Sequence, residues 1–146
     1  VAFIQEEVKK LIQKYSSNCP FEIARSLGII IQYGDLGNTL GFYLHDSRIK
    51  FININQYLHE ILQRFVCAHE LGHAILHPKA NTPFLRRNTL FSVDKIEVEA
   101  NTFAVELLIP DEKIYEYRNT NLSIEQLGEI FGVPGGLAHL KSFKNF

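Results

Sequence analysis

A small twisted sheet packed on one buried helix, an α+β arrangement, is the architecture that this 146-residue sequence predicts. Three observations carry the prediction. Residues 58–77 are apolar around almost the whole circumference of a helix, which marks an element enclosed by protein rather than lying on a surface. Three short β-type runs, Ile29–Tyr33, Gly41–Leu44 and Ile49–Ile54, stand directly before it. Gly34-Asp35-Leu36-Gly37 and His45-Asp46-Ser47-Arg48 are the turns between them. Helical periodicity then returns at residues 94–108 and in shorter runs beyond residue 122. With 46% hydrophobic content the chain has core enough for one domain, residues 1–146. It divides into N-terminal helices (1–28), the sheet and central helices (29–110) and a C-terminal helical unit (111–146).

Each element has a local reason. Val8, Leu11, Ile12 and Tyr15 form one face of an amphipathic first helix. Pro20 suits the first turn of a second helix and Gly28 closes it. The central helix ends at His77, because Pro78 bars continuation and biases the residue before it away from helical geometry. Residues 78–93 are the longest irregular stretch, with Pro78, Asn81, Pro83, Asn88 and Ser92; they read as a solvated basic loop (Lys79, Arg86, Arg87) that could also rim a cleft. Ser123-Ile124-Glu125-Gln126 is a capping box opening a helix to Phe131. Gly132 then turns the chain, and Pro134 starts a last helix through Leu137, Leu140 and Phe143. Two short helices about a Gly turn resemble a helix-turn-helix. Lys141 and Lys144 are offset there by Glu125 and Glu129, so packing within the protein or against a partner is expected rather than DNA binding.

Composition removes several classes. A net charge of −1 gives no electrostatic footprint for nucleic acid. No run approaches the roughly 20 apolar residues of a membrane span. Glu6, Glu7, Lys9 and Lys10 come too early for a signal peptide, although the chain has no Met and sequence upstream of Val1 stays open. Two cysteines, Cys19 and Cys67, give no disulfide framework, and a cytoplasmic setting fits best.

Chemistry is concentrated in His69-Glu70-Leu71-Gly72-His73. Residues four apart share one face of a helix, so both imidazoles can reach one cation. Glu70 lies about 100° round from His69 and about 60° from His73, beside that cation and within reach of its water. This composition produces such a pattern by chance roughly 0.02 times per chain, so the match is specific. The buried setting adds weight, because uncompensated polar burial is unfavourable and a metal supplies the compensation.

A catalytic zinc takes three protein ligands and keeps a position for water. Glu97, Glu99 and Glu106 in the following helix are the candidates. With Glu97 at 0°, Asn101, Ala104, Leu108 and Ala100 fall at about 40°, 340°, 20° and 300°, whereas Glu99, Thr102 and Glu106 fall at about 200°, 140° and 180°. The first set reads as the buried face and the second as a solvent-facing stripe. Glu97 is therefore the expected ligand, with Glu99 in reserve, and Asn101 is placed to hydrogen-bond a ligand imidazole.

Val66-Cys67-Ala68 with the histidine motif, followed by Glu97-Val98-Glu99-Ala100-Asn101, resembles the ImmA/IrrE-type zinc metallopeptidases, within the wider gluzincin group. The likeness is dense over residues 64–110 and looser across most of the chain. It implies a zincin-like fold, a Glu-x-x-Ala-Asn third-ligand pattern that agrees with Glu97, and a small cytoplasmic protein of bacteria or mobile elements. It also implies cleavage of a helix-turn-helix repressor as the activity, which derepresses genes. The gluzincin likeness further implies an edge strand that holds substrate backbone, for which Gly41–Leu44 is the candidate. An extended motif with Gly and His after the second histidine is absent, since Leu76 and Lys79 stand there, and neither cysteine has the flanks of a deformylase-type ligand. The competing reading is a non-proteolytic regulator whose zinc is structural and which binds a repressor or DNA.

The remaining polar candidates stay open. His77 falls on the metal face but about 6 Å beyond His73 along the axis, which suits the cleft rim better than ligation. His45 and His59 read as surface residues at a turn and a helix start. Tyr43 and His77 are the candidate substrate-binding residues, and Tyr43 or His139 the candidate oxyanion stabiliser.

Overall fold

In chain order the elements are α1 (Ala2–Tyr15), α2 (Pro20–Ser26), β1 (Ile30–Gly34), β2 (Thr39–Asp46), β3 (Ile49–Asn55), α3 (Glu60–Leu76), β4 (Leu85–Arg86), α4 (Lys95–Leu108), α5 (Asp111–Glu116) and α6 (Ile124–Ile130), with 3-10 turns at Arg87–Thr89 and Ala138–Leu140. They come from a computed structural model that describes residues 2–142. The class is α+β, as the sequence predicts. Among the described residues no helix is long and apolar enough to cross a membrane.

The sheet runs β1-β3-β2-β4, with β1 parallel to β3 and β2 antiparallel to both of its neighbours. β2 and β3 outrun the expected hairpin, because His45 pairs with Lys50 and Asp46 with Ile49. Only Ser47 and Arg48 are left to turn, and Ser47 takes a positive φ of 54° to do it. Gly41–Leu44 is not a free edge along its whole length: Thr39 pairs with Arg86 and Gly41 with Leu85, with a register shift between them. β4 therefore arises from part of the stretch read as irregular. Leu85 is fully buried, and this gives two residues reason to leave the loop and join the ladder.

Alternation places Tyr43, Ile52 and Ile54 on the inner face, all buried, against α3. Contact is closest at Gly41, where a Cβ would lie 2.5 Å from Val66 Cγ1 and 2.7 Å from the Asn53 carbonyl oxygen. α4 lies against α3, and α1 covers α4. This layering corrects the helical-wheel reading of α4. Thr102 and Glu106 are buried rather than solvent-facing, because α1 and the C-terminal 3-10 turn pack on the side of α4 that the wheel assigned to water.

Lys141 makes the burial of Glu106 tolerable. Its Nζ donates to Glu106 Oε1 and Asp111 Oδ1, each at 2.6 Å, and the Ser142 amide donates to Glu106 Oε2 at 3.1 Å. Lys141 is thus an interior cation, not part of a surface balance with Glu125 and Glu129. The capping box of α6 is present, with Ser123 and Gln126 bonded reciprocally at 3.1 and 2.8 Å. The helix expected from Pro134 is reduced to the 3-10 turn at Ala138–Leu140. Gly135 and Gly136 interrupt it, Gly136 at φ +90°. Phe143 and Lys144 lie outside the described residues.

Gly41→Ala should destabilise the fold by about 1–3 kcal/mol in urea unfolding, since strand and helix must separate to admit a methyl group. Lys141→Ala strands a buried carboxylate and should lose about 3 kcal/mol. Burial pushes the Asp111 carboxyl up, but Lys141 and Lys9 outweigh it and hold it below the usual aspartate range. That contribution is present above the unfolded aspartate pKa and is lost as pH falls through the lower folded value. The urea midpoint should therefore drop more between about pH 5 and about pH 3 in the wild type than in Asp111→Asn.

Candidate metal centre

α3 carries His69, Glu70 and His73 at zero exposure, and α4 presents Glu97 to them. The two imidazoles stand edge to face, with centroids 4.8 Å apart. Glu97 spans both: Oε2 lies 3.3 Å from His69 Nε2 and Oε1 lies 2.9 Å from His73 Nε2. Ligand-type atoms of His69, Glu70 and His73 also lie within 4.8 Å of one another. Two overlapping triads thus share the histidine pair. Glu97 is the carboxylate in direct contact with both rings.

The far side of each ring has a close partner. Asn101 donates through Nδ2 to the Leu90 carbonyl at 2.8 Å, so its Oδ1 is the acceptor for His69 Nδ1, also at 2.8 Å. Pro78 turns His77 out of helical geometry, to φ −131° and ψ 51°, while its amide still donates to the His73 carbonyl at 2.8 Å. The His77 ring then sits beside His73, Nδ1 to Nδ1 at 2.9 Å, and its Nε2 lies 2.9 Å from Glu99 Oε1.

With its hydrogen on Nδ1, His69 offers only a lone pair at its inward Nε2. His69 Nε2, His73 Nε2, Glu97 Oε1 and both oxygens of Glu70 are buried without a hydrogen-bond partner. Buried acceptors facing acceptors require a cation among them. Two imidazole nitrogens and a carboxylate are donors that suit a metal ion, so the residues fit one.

Titration directions differ among these four groups. Burial opposes a charge on His69, yet the close Glu97 carboxylate, together with Glu70, outweighs it and raises its pKa. For His73 burial prevails and the pKa falls. Burial pushes Glu97 up, but both histidines more than offset this and bring it down to about 2. Glu70 lacks such partners, and burial raises it to about 8.

The other candidates are placed differently. Tyr43 is 2% exposed and its hydroxyl donates to the Pro78 carbonyl at 2.7 Å, which makes it a brace for the end of α3 rather than an open contact. His139 is exposed on the 3-10 turn, and His59 caps α3 by accepting from the Ile61 amide at 3.2 Å. His77 and Glu99 are joined to the site through His73, a connection that the sequence reading lacked. The signal was the recurrence of His at 69, 73 and 77, each four residues from the last. The wheel hid it by turning Glu99 toward solvent.

Comparison with known proteins agrees with this chemistry. The pattern of the IrrE N-terminal-like domain, a peptidase family, matches residues 24–141. The chain is 50% identical over 147 residues to an uncharacterized immunity region protein 2 of Bacillus phage phi105, covering 98% of this chain and 93% of that one. It is 34% identical over 151 residues to the metallopeptidase ImmA of Bacillus subtilis (strain 168), covering 97% and 88%. A buried histidine-carboxylate cluster inside a matching fold, with relatives across nearly its full length, assigns this chain to the ImmA/IrrE-type metallopeptidase family of IrrE N-terminal-like domains.

Proposed function

We propose that this chain is a zinc endopeptidase that cuts a DNA-binding repressor in the cytoplasm, with His69, His73 and Glu97 holding the metal and Glu70 acting as the general base. One observation carries the catalytic part: Glu70 is fully buried beside three converging donors, and neither of its oxygens has a hydrogen-bond partner. A buried carboxyl with no structural bond to make is free to exchange protons with a neighbouring water. Zinc, when bound, supplies Lewis acidity toward a carbonyl and lowers the pKa of water toward about 7. Glu70 takes the proton of the attacking water and returns it to the leaving amine. Glu97 compensates positive charge in the pocket, and Asn101 holds the His69 ring so that its Nε2 faces inward.

The substrate half of the proposal rests on relatives and on the sheet. A phage relative is named as an immunity region protein, and a bacterial one as a metallopeptidase. On β2 the ladder to β4 stops at Gly41, and Leu44, His45 and Asp46 beyond it are exposed, which suits that end to an added strand. An extended segment of a folded partner suits that edge.

Glu70→Gln should retain zinc and fold while cleavage falls at least about 100-fold, because an amide accepts no proton from water. Glu97→Ala should instead lose the metal. Retained zinc in Glu97→Ala, or unchanged cleavage by Glu70→Gln, removes that residue from its role. For the substrate, mass spectrometry of digests should find a single cut in a folded repressor encoded near this chain, with short peptides spanning the cut poorly processed. Equal degradation of unfolded casein would replace the regulatory reading with a general peptidase.

A further inference from the structure

We propose that His77 and Glu99 are positioning residues for His73: they fix the hydrogen on its Nδ1 and so turn its Nε2 lone pair into the metal pocket. The inference rests on His73 binding the metal through Nε2, as in the preceding reading, and adds two residues outside the donor set.

Hydrogen-bond logic leads from the outside inward. Glu99 as a carboxylate only accepts, so the 2.9 Å contact requires a hydrogen on His77 Nε2. A neutral His77 is then bare at Nδ1 and can only accept there. The 2.9 Å contact between the two Nδ1 atoms therefore takes its hydrogen from His73. Nothing remains on His73 Nε2, which is buried without a hydrogen-bond partner 2.9 Å from Glu97. His69 reaches the same tautomer by another route, because the Asn101 amide is committed to the Leu90 carbonyl and can only accept from the ring. The two metal-facing histidines are thus oriented by unlike devices, a neutral amide for His69 and a histidine-carboxylate chain for His73. Backbone geometry supports the second device, since His77 is bent beside His73 by Pro78 while Glu99 comes from α4, two residues after Glu97. The chain crosses from α3 to α4, as the Glu97 contact does, and so ties the pocket together at a second point.

Removing such a partner typically weakens metal binding 10–100-fold. The test is zinc affinity, measured by chelator competition, together with 15N NMR of the His73 ring and the visible spectrum of the cobalt-loaded protein. His77→Leu should weaken zinc about 10–100-fold and alter the cobalt spectrum. His77→Gln should recover affinity to within a few-fold, because its amide can accept from His73 and donate to Glu99. The side chain of Glu99 is 20% exposed. Glu99→Ala therefore tests the same chain without leaving a buried charge, and should weaken zinc in a folded protein. In the wild type the NMR spectrum should show hydrogen on His73 Nδ1. Wild-type affinity in both His77→Leu and Glu99→Ala overturns the proposal, as does equal weakening by the Leu and Gln variants or hydrogen on His73 Nε2. If the protein fails to cleave any peptide while these affinities and spectra behave as stated, the peptidase reading fails and the positioning role stands.

Discussion

Close approach of α3 and α4 at Gly72 governs this molecule. A Cβ there would stand 3.1 Å from Phe103 Cβ and 3.2 Å from the Ala100 carbonyl oxygen, so the helices meet almost backbone to backbone. Only at that separation can a side chain as short as glutamate touch both imidazoles from the facing helix. The sheet, pressed on α3 at Gly41, and α1, laid over α4, hold the pair together from outside. Burying four polar side chains (His69, Glu70, His73 and Glu97) against these apolar layers is unfavourable unless their lone pairs find a cation. The scaffold and the metal demand are thus two sides of one packing arrangement.

The site is also uneven by construction. Glu97 and Glu70 lie on opposite sides of their ordinary range, about 2 and about 8, although both are carboxylates packed around the same histidines. Contact with the histidines accounts for the difference: Glu97 lies against both rings, and Glu70 has burial with no bonded partner. One environment therefore favours the charged form of Glu97 and the protonated form of Glu70.

Much of this could be read from residue order because helices impose a fixed rotation. About 100° per residue sends Glu97 and Asn101 inward together and sets His69 above His73, whatever surrounds them. Prediction failed where tertiary neighbours decide. Glu106 and Thr102 lie on a face that a wheel gives to water, yet α1 and the C-terminal turn cover it, and Glu106 is stabilised there by Lys141 from 35 residues away. β4 consists of two residues with no periodicity to detect, and it forms because Leu85 finds a buried place beside Gly41. Gly135-Gly136 outweighed the apolar spacing that suggested a last helix. His77 was legible as a histidine on the metal face, but its contact depends on the bend at Pro78, which brings the ring back beside His73.

The buried pair of Glu106 and Lys141 bears on the order in which the molecule is finished. A ribosome adds residues from the N-terminus, so α4 is synthesised before Lys141. Until then, docking α4 would enclose the Glu106 carboxylate without its cation, a strongly unfavourable burial. Glu97 and Asn101 belong to the same helix as Glu106, so the lysine that makes burial of Glu106 tolerable also helps to hold them against the histidines. The pocket therefore draws part of its stability from a residue far along the chain from the histidine motif.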